Sequence, residues 1–191
     1  MKRLLTGVEA LARGAAEEGV GLLVTQRVPG LRGLAAAARR EGVACEVAAG
    51  ARLALDLAAG ASLAGARAVA AVGDVFGAAE SLQAAVQAGL SGLVVVGVDD
   101  PGLAEGELCG DGRALARALD LPCLEPCDAA ECGPHLAAAL SLSERWGTPV
   151  FVRMTVRVAR TARPVELGAP RAATAAGLEG RADRHALGPG R

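Results

Sequence analysis

Short apolar runs alternate along the chain with longer segments of helical pattern, and this alternation restricts the fold more than any other feature. The most apolar run, SGLVVVGV at 91–98, is continuous, which is typical of a strand buried on both faces. Similar runs are GLLVT (21–25), VACEVA (43–48), ARAVAAV (66–72), LPCLEP (121–126) and TPVFVRMTV (148–156). Helical patterns lie near 7–18, 31–41, 51–62, 77–88, 112–119 and 128–147. The alternation predicts an α/β fold with a doubly wound, mostly parallel sheet and helices on both faces.

Length and composition fit one such domain followed by a tail. The chain has 191 residues, and the pattern of strands and helices extends over residues 1–160. Residues 161–191 are rich in Ala, Gly, Pro and Arg without periodicity, so we expect a flexible tail there. Hydrophobic residues make up 52% of the chain but aromatic residues only 2%, so the core has to be built from Ala, Leu and Val in closely packed elements.

The charge balance argues against two classes of partner. Lys and Arg number 20 against 21 Asp and Glu, which gives no electrostatic reason to expect nucleic acid or an anionic membrane. Glu9, Glu17 and Glu18 interrupt the region where a signal peptide needs an apolar run, and no apolar run reaches the roughly 18 residues of a membrane span. The five cysteines form no CxxC pair, as in reduced thiols. We therefore expect a cytoplasmic protein without membrane contact.

Open parallel sheets bind ligands beyond the carboxyl ends of their strands, so the loops after residues 25, 48, 72 and 98 are the informative ones. In the last of these, Asp99 and Asp100 precede Pro101 and Gly102. Adjacent acids are also found in metal sites, but acids before Pro-Gly more often form a turn. We favour the turn and predict no metal site on this chain.

Three blocks in order, LAAGASLAGARA (57–68), LVVVGVDDPG (93–102) and ERWGTPVFVRMTVRV (144–158), carry a family resemblance. Together they resemble the N-terminal, pyrimidine-binding domain of the indolepyruvate:ferredoxin oxidoreductase alpha subunit, over about residues 4–168. The resemblance implies a thiamine-diphosphate-binding fold and a reaction that oxidatively decarboxylates a 2-oxoacid such as indolepyruvate, yielding an acyl-coenzyme A and reduced ferredoxin. It also implies thiamine diphosphate with Mg at a subunit interface, and a protein partner that carries the diphosphate-binding domain and the iron-sulfur clusters.

Three positions depart from the family pattern. Ala51 occupies the position of the Glu that hydrogen-bonds the aminopyrimidine ring of the cofactor. The family's GYPGTP, whose Thr reaches the substrate carboxylate, corresponds to QRVPGLR (26–32), which keeps Pro29 and Gly30 but continues with Leu and Arg. The family's Lys-His-rich loop is replaced by GDVFG (73–77), in which Asp74 is an alternative carboxylate. The sequence therefore assigns no catalytic or cofactor-binding residue.

Asp111 and Arg113 retain part of a QDNR-like segment of the family, and Arg113 could hold a carboxylate or phosphate or form a salt link at an interface. The candidate substrate or interface residues are thus Pro29, Gly30, Asp100, Asp111 and Arg113.

Two further expectations concern residues near the end of the domain. Cys123, Cys127 and Cys132 lack the tight CxxC-type pair of metal sites, so we expect no iron-sulfur cluster on this chain. Trp146 precedes the turn into the final strand and is predicted to close the core under the last helix.

Two functional hypotheses follow from the resemblance and its departures. The chain is either the pyrimidine-side component of a thiamine-diphosphate enzyme, inactive alone, or a catalytically inactive paralogue that acts as a scaffold or regulator. A truncated fragment is a third possibility. In each case an apolar face left by a missing partner domain predicts a dimer or hetero-oligomer.

Overall fold

A computed structural model describes residues 2–100 and 110–172 of the chain. The predicted turn at Pro101 and Gly102, and the part of the predicted tail from residue 173 onward, lie outside the described residues.

Six parallel strands form the main sheet, and each of them coincides with one of the apolar runs recognised in the sequence. They are β2 (Leu22–Gln26), β3 (Cys45–Ala48), β4 (Ala68–Val72), β5 (Leu93–Asp99), β6 (Cys123–Leu124) and β7 (Val150–Thr155). Their order across the sheet is β3-β2-β4-β5-β7-β6, and every neighbouring pair is parallel. The central strands β4 and β5 are buried along their whole length, because helices cover both faces of the sheet.

Seven α-helices in residues 2–100 and 110–172 surround this sheet. They are α1 (Gly7–Glu17), α2 (Leu34–Arg40), α3 (Ala51–Leu63), α4 (Ala79–Gln87), α5 (Gly112–Ala118), α6 (Ala129–Trp146) and α7 (Val156–Arg160). Helices α1, α2, α6 and α7 contribute to the core on one face, which we call the α1 face, and α3, α4 and α5 to the core on the other, the α3 face. The doubly wound fold with helices on both faces is therefore confirmed.

Small residues let the helices approach closely, as the scarcity of aromatic residues requires. Gly14 of α1 faces Gly133 of α6 so tightly that a Cβ on Gly14 would lie 2.7 Å from the Cα of Gly133. Helix α1 begins with a capping box, in which the Thr6 hydroxyl accepts from the Glu9 amide and the Glu9 carboxylate accepts from the Thr6 amide. Both the start and the packing of α1 thus follow from its local sequence.

A second, two-stranded sheet was not predicted. Strand β1 (Lys2–Thr6) pairs antiparallel with β8 (Ala162–Glu166), and the Arg171 amide donates to the Ala16 carbonyl at 2.9 Å. Regular structure therefore continues past the boundary expected at residue 160, because β8 is held by hydrogen bonds to the start of the chain. The charged, short sequence of each strand gives little local signal for this long-range pairing.

Trp146 does not close the core, which corrects the expectation from the sequence. Its residue exposure is 66%, and its ring lies 5.6 Å from the guanidinium carbon of Arg145. Trp146 is the last residue of α6, and Gly147 ends the helix in the left-handed conformation. Leu136 and Leu140 on the same helix are fully buried and fill the core instead.

Across residues 2–100 and 110–172, no helix combines the length and the apolar content needed to cross a bilayer.

Candidate functional site

The carboxyl edge of the main sheet contains a point where neighbouring strands send their chains to opposite faces. The loop after β2 leads to α2 on the α1 face, whereas the loop after β4 leads to α4 on the α3 face. The Gly73 amide donates to Oε1 of Gln26 at 3.2 Å and links the two loops. Crevices at such switch points are the usual ligand sites of open α/β sheets, so the region between the loops after β2 and β4 is the candidate site.

Ala51 is the first residue of α3, directly after β3 at this edge. Its side chain is buried in the core of the α3 face, and the N-cap Gly50 supplies no side-chain hydrogen bond. A methyl group can neither donate nor accept a hydrogen bond, so position 51 offers no acid or base. A Cβ on Gly50 would meet no atom within 4 Å, which leaves open space beside the start of the helix.

Asp74 does not stand free as a substitute for the missing carboxylate. Its Oδ1 accepts from the Gly77 amide at 2.9 Å, which closes the short turn after β4. A Cβ on Gly77 would also collide with this carboxylate, so a larger residue there would force the Asp74 side chain to move. Asp74 is therefore a turn residue whose acceptor capacity is partly used.

A buried ion pair joins β5 to β7 further along the edge. Arg153 donates through Nη2 to Oδ1 of Asp99 at 2.7 Å and through Nε to Oδ2 at 2.9 Å. The two side chains are only 3% and 7% exposed. Because two-point contact with a buried carboxylate favours the charged guanidinium, the pKa of Arg153 is raised.

The pair continues into a charged cluster at the start of α5. Arg153 also donates through Nη1 to Glu125, and the Gly112 amide donates to Asp99 at 3.3 Å. Arg113 pairs with Asp111 at 2.8 Å and with Glu125 at 3.5 Å. Hydrogen bonds from Arg113 lower the pKa of Asp111 to about 2.

The structure thus brings two of the five candidate residues, Asp111 and Arg113, into one cluster. The sequence analysis missed Arg153 and Glu125, although an arginine inside the apolar strand VFVRMT is itself a signal, since a charge there needs a buried partner. Asp99, which the sequence suggested only as a turn residue, is that partner.

A cavity of about 270 Å³ lies beside this cluster and is lined by Asp74, Phe76, Asp99 and Phe151 among others. The ring of Phe151 fits between two glycines: a Cβ on Gly97 would lie 2.5 Å from its Cζ, and one on Gly112 would lie 2.6 Å away. The two glycines are therefore needed for this aromatic ring to reach the edge of the sheet.

Pro29 and Gly30 serve to attach the loop after β2 to the rest of the edge. A Cβ on Gly30 would lie 2.5 Å from Cγ1 of Val98, and the Pro29 carbonyl accepts from Arg160 at 3.2 Å. Asp100 follows directly after β5 and is half-buried. Pro29 and Gly30 thus contact Arg160 and Val98 at this edge.

The three cysteines near β6 do not assemble into a metal site in the described part of the chain. Cys123 and Cys127 are exposed, whereas Cys132 is buried in α6, and burial raises the pKa of its thiol to about 12. Among residues 2–100 and 110–172, no group of three or more His, Cys, Asp or Glu side chains is placed to hold a metal ion.

Comparison with solved structures defines the class of fold. The chain superposes on a 2-oxoglutarate:ferredoxin oxidoreductase from Magnetococcus marinus, solved with 2-oxoglutarate, coenzyme A and succinyl-CoA bound, with a TM-score of 0.77. The match covers 88% of this chain and 32% of that chain at 19% sequence identity. The chain therefore has the fold of one domain of a 2-oxoacid:ferredoxin oxidoreductase.

Sequence comparison narrows the relationship and confirms the resemblance found in the motifs. The chain is similar to indolepyruvate oxidoreductase subunit IorA, with 35% identity over 176 residues to the protein of Methanothermobacter thermautotrophicus, 34% over 174 to that of Pyrococcus abyssi and 32% over 180 to that of Archaeoglobus fulgidus. These matches cover 86–87% of this chain but 26–29% of the relatives. The chain thus spans under a third of their length. No family model matches the chain.

Proposed function

We propose that this chain is the pyrimidine-side domain of a thiamine-diphosphate-dependent 2-oxoacid:ferredoxin oxidoreductase of the indolepyruvate type. It works only with a partner that carries the diphosphate-binding domain and the iron-sulfur clusters. The observation that carries the proposal is the 31–35% identity to subunit IorA over most of the chain. The chain spans under a third of the length of those relatives.

The residues at the edge of the sheet fit the architecture of this role but not the chemistry of cofactor activation. If thiamine diphosphate were bound, a carboxylate would have to hydrogen-bond its aminopyrimidine ring, and the cofactor would supply a nucleophilic ylid by loss of the thiazolium proton. Position 51 has a buried methyl group instead, and Asp74 is engaged in its own turn. We assign no catalytic step to this chain, and Mg with the diphosphate group would be held by the partner.

Ala51 also favours a second candidate function, a catalytically inactive paralogue that acts as a scaffold or regulator. Such a protein keeps the fold and the surfaces that contact a partner and needs no acid at position 51. The intact buried pair of Asp99 and Arg153 agrees with this candidate, since it stabilises the edge of the sheet without requiring a ligand.

An affinity pull-down of this chain from its native lysate, with mass spectrometry and an assay for bound thiamine diphosphate, tests the proposal. We expect recovery of a subunit that contains a diphosphate-binding domain together with the cofactor. Recovery of such a subunit without cofactor supports the inactive paralogue. Recovery of no such subunit contradicts both candidate functions.

A matched pair of variants in the recovered complex separates the two candidates. Ala51→Glu restores the carboxylate at the first position of α3, where a negative charge is also favoured by the helix dipole. The glutamine of Ala51→Gln has nearly the same size as glutamate but is not an acid. An enzyme component gains indolepyruvate-dependent ferredoxin reduction with Glu and not with Gln, whereas an inactive paralogue gains none with either variant.

A further inference from the structure

A second cavity, which we call the arginine groove, lies between the loop after β2, helix α2 and the edge strand β3. Its volume is about 560 Å³, within the range of about 300–1,000 Å³ that is usual for small-molecule sites. Val28, Leu31 and Val47 are among its apolar lining residues, and Arg27, Arg32 and Arg39 are its charged ones. Within residues 2–100 and 110–172, no acidic residue lines it.

The charges of the groove are uncompensated within the described residues. In residues 2–100 and 110–172, no carboxylate lies within 4.0 Å of a side-chain nitrogen of Arg27, Arg32 or Arg39. The one hydrogen bond found for these guanidinium groups runs from Arg39 to the Cys45 carbonyl at 3.0 Å and fixes that side chain beside β3. Three cations around one concavity contrast with the net charge of −1 of the whole chain.

A buried hydroxyl adds a polar group to the lining. Thr25 of β2 is 3% exposed and lines the groove. Its hydroxyl has one long contact, a donation to the neighbouring Gln26 carbonyl at 3.4 Å, so its acceptor and donor capacity is poorly used. A buried hydroxyl usually has a full hydrogen-bond partner, and a ligand in the groove would provide one.

The groove is separate from the position of the missing catalytic acid. Thr25 and Val47 alternate along their strands with Val24 and Ala48, whose side chains belong to the core of the α3 face. Ala51 belongs to that same α3-face core. The groove therefore lies on the α1 face, and it is lined in part by segment 26–32, the counterpart of the family's substrate loop.

We propose that the arginine groove binds a small organic anion whose charge is carried on carboxylate or phosphate oxygens and whose apolar part packs on Val28, Leu31 and Val47. Guanidinium groups match both kinds of oxyanion through two-point hydrogen bonds, which the point charge of a lysine does not offer, and all three arginines are exposed at the groove. Three guanidinium groups favour an anion with at least two negative charges.

Isothermal titration calorimetry of the full chain with pyrophosphate and with succinate, at low and at physiological salt, tests this proposal. We expect saturable binding of at least one probe with a dissociation constant of about 1 mM or tighter. Preference for pyrophosphate identifies a phosphate-bearing ligand, and preference for succinate identifies a carboxylate. Absence of saturable binding to both probes overturns the proposal.

Variants connect the binding to the groove. Arg27→Gln and Arg32→Gln are each expected to weaken binding about tenfold, and Thr25→Val, which preserves the side-chain shape, by a smaller factor. Arg117→Gln is the control, because Arg117 is an exposed arginine of α5, on the α3 face. An equal loss of affinity in Arg117→Gln, or no loss in the two groove variants, shows binding to general surface charge and refutes the site.

Discussion

Replacement of Arg153 by Met is expected to destabilise the protein more than any single change at an exposed charge. The substitution removes both hydrogen bonds to Asp99 and the one to Glu125. Among the described residues, Asp99 then keeps only the long hydrogen bond that the Gly112 amide donates to it at 3.3 Å. Breaking a buried ion pair on one side costs about 3–5 kcal/mol, because the remaining charge stays buried without a partner.

Urea denaturation of Arg153→Met, followed by circular dichroism, measures this loss. Since domains of this kind have unfolding free energies of about 5–15 kcal/mol, the midpoint should shift by a large fraction of its value. Arg113→Met is the matched control, because Arg113 makes its ion pairs at an exposed position and its loss should shift the midpoint little.

The double variant Arg153→Met with Asp99→Leu tests the cause. Removing both charges leaves no buried unpaired ion, so the double variant should be more stable than Arg153→Met alone, with a remaining cost of about 1–3 kcal/mol for the Gly112 amide. A single variant that loses less than about 1 kcal/mol, or a double variant as unstable as the single one, would refute this account of the edge of the sheet.

Two further changes test other parts of the same region. Gly97→Ala places a Cβ 2.5 Å from Phe151 and should lower the free energy of unfolding by about 1–3 kcal/mol, as measured by thermal denaturation. Gly60→Ala is the control and should be neutral or stabilising, because no atom lies within 4 Å of the added Cβ. Equal effects of the two substitutions would contradict the packing argument. Asp111→Asn keeps the N-cap of α5 but removes the charge that Arg113 stabilises. Because the pKa of Asp111 is lowered from 3.8 to about 2, the free energy of unfolding of the wild type should exceed that of the variant by about 1 kcal/mol or less above pH 4. This difference should vanish as the pH falls through 2. A difference that persists below pH 2 would contradict its electrostatic origin.

The main sheet was predictable because each of its strands is a local apolar run between helical patterns. The run at 91–98 contains the fully buried β5, and even the two-residue β6 falls within its predicted segment. The pair of β1 and β8 was not predictable in this way, since it joins residues 2–6 to 162–166 across almost the whole described chain. Leu4 of β1 is 68% exposed, so burial left no periodic pattern to recognise.

The candidate site was harder to predict than the fold. Asp111 and Arg113 were found through a family motif, but Arg153 and Asp99 are 54 positions apart and meet only because β5 and β7 are neighbours in the sheet. The arginine groove was missed for the same reason, since it combines the loop after β2 with residues of α2 and β3. Trp146 shows the opposite error, in which a large apolar residue was assigned to the core although it is exposed at the last position of α6.

The residues that stabilise the carboxyl edge of the main sheet do not include position 51, where activation of thiamine diphosphate would need an acid. Arg153, Asp99 and Gly97 are fixed by burial and close packing, so their replacement should cost stability whether or not a cofactor is ever bound. Ala51 begins α3 with a methyl group that is buried in the core of the α3 face, so alanine packs there without burying an unpaired charge. For that reason the fold alone does not distinguish an enzyme component from an inactive paralogue, and the comparison of Ala51→Glu with Ala51→Gln in the assembled complex does.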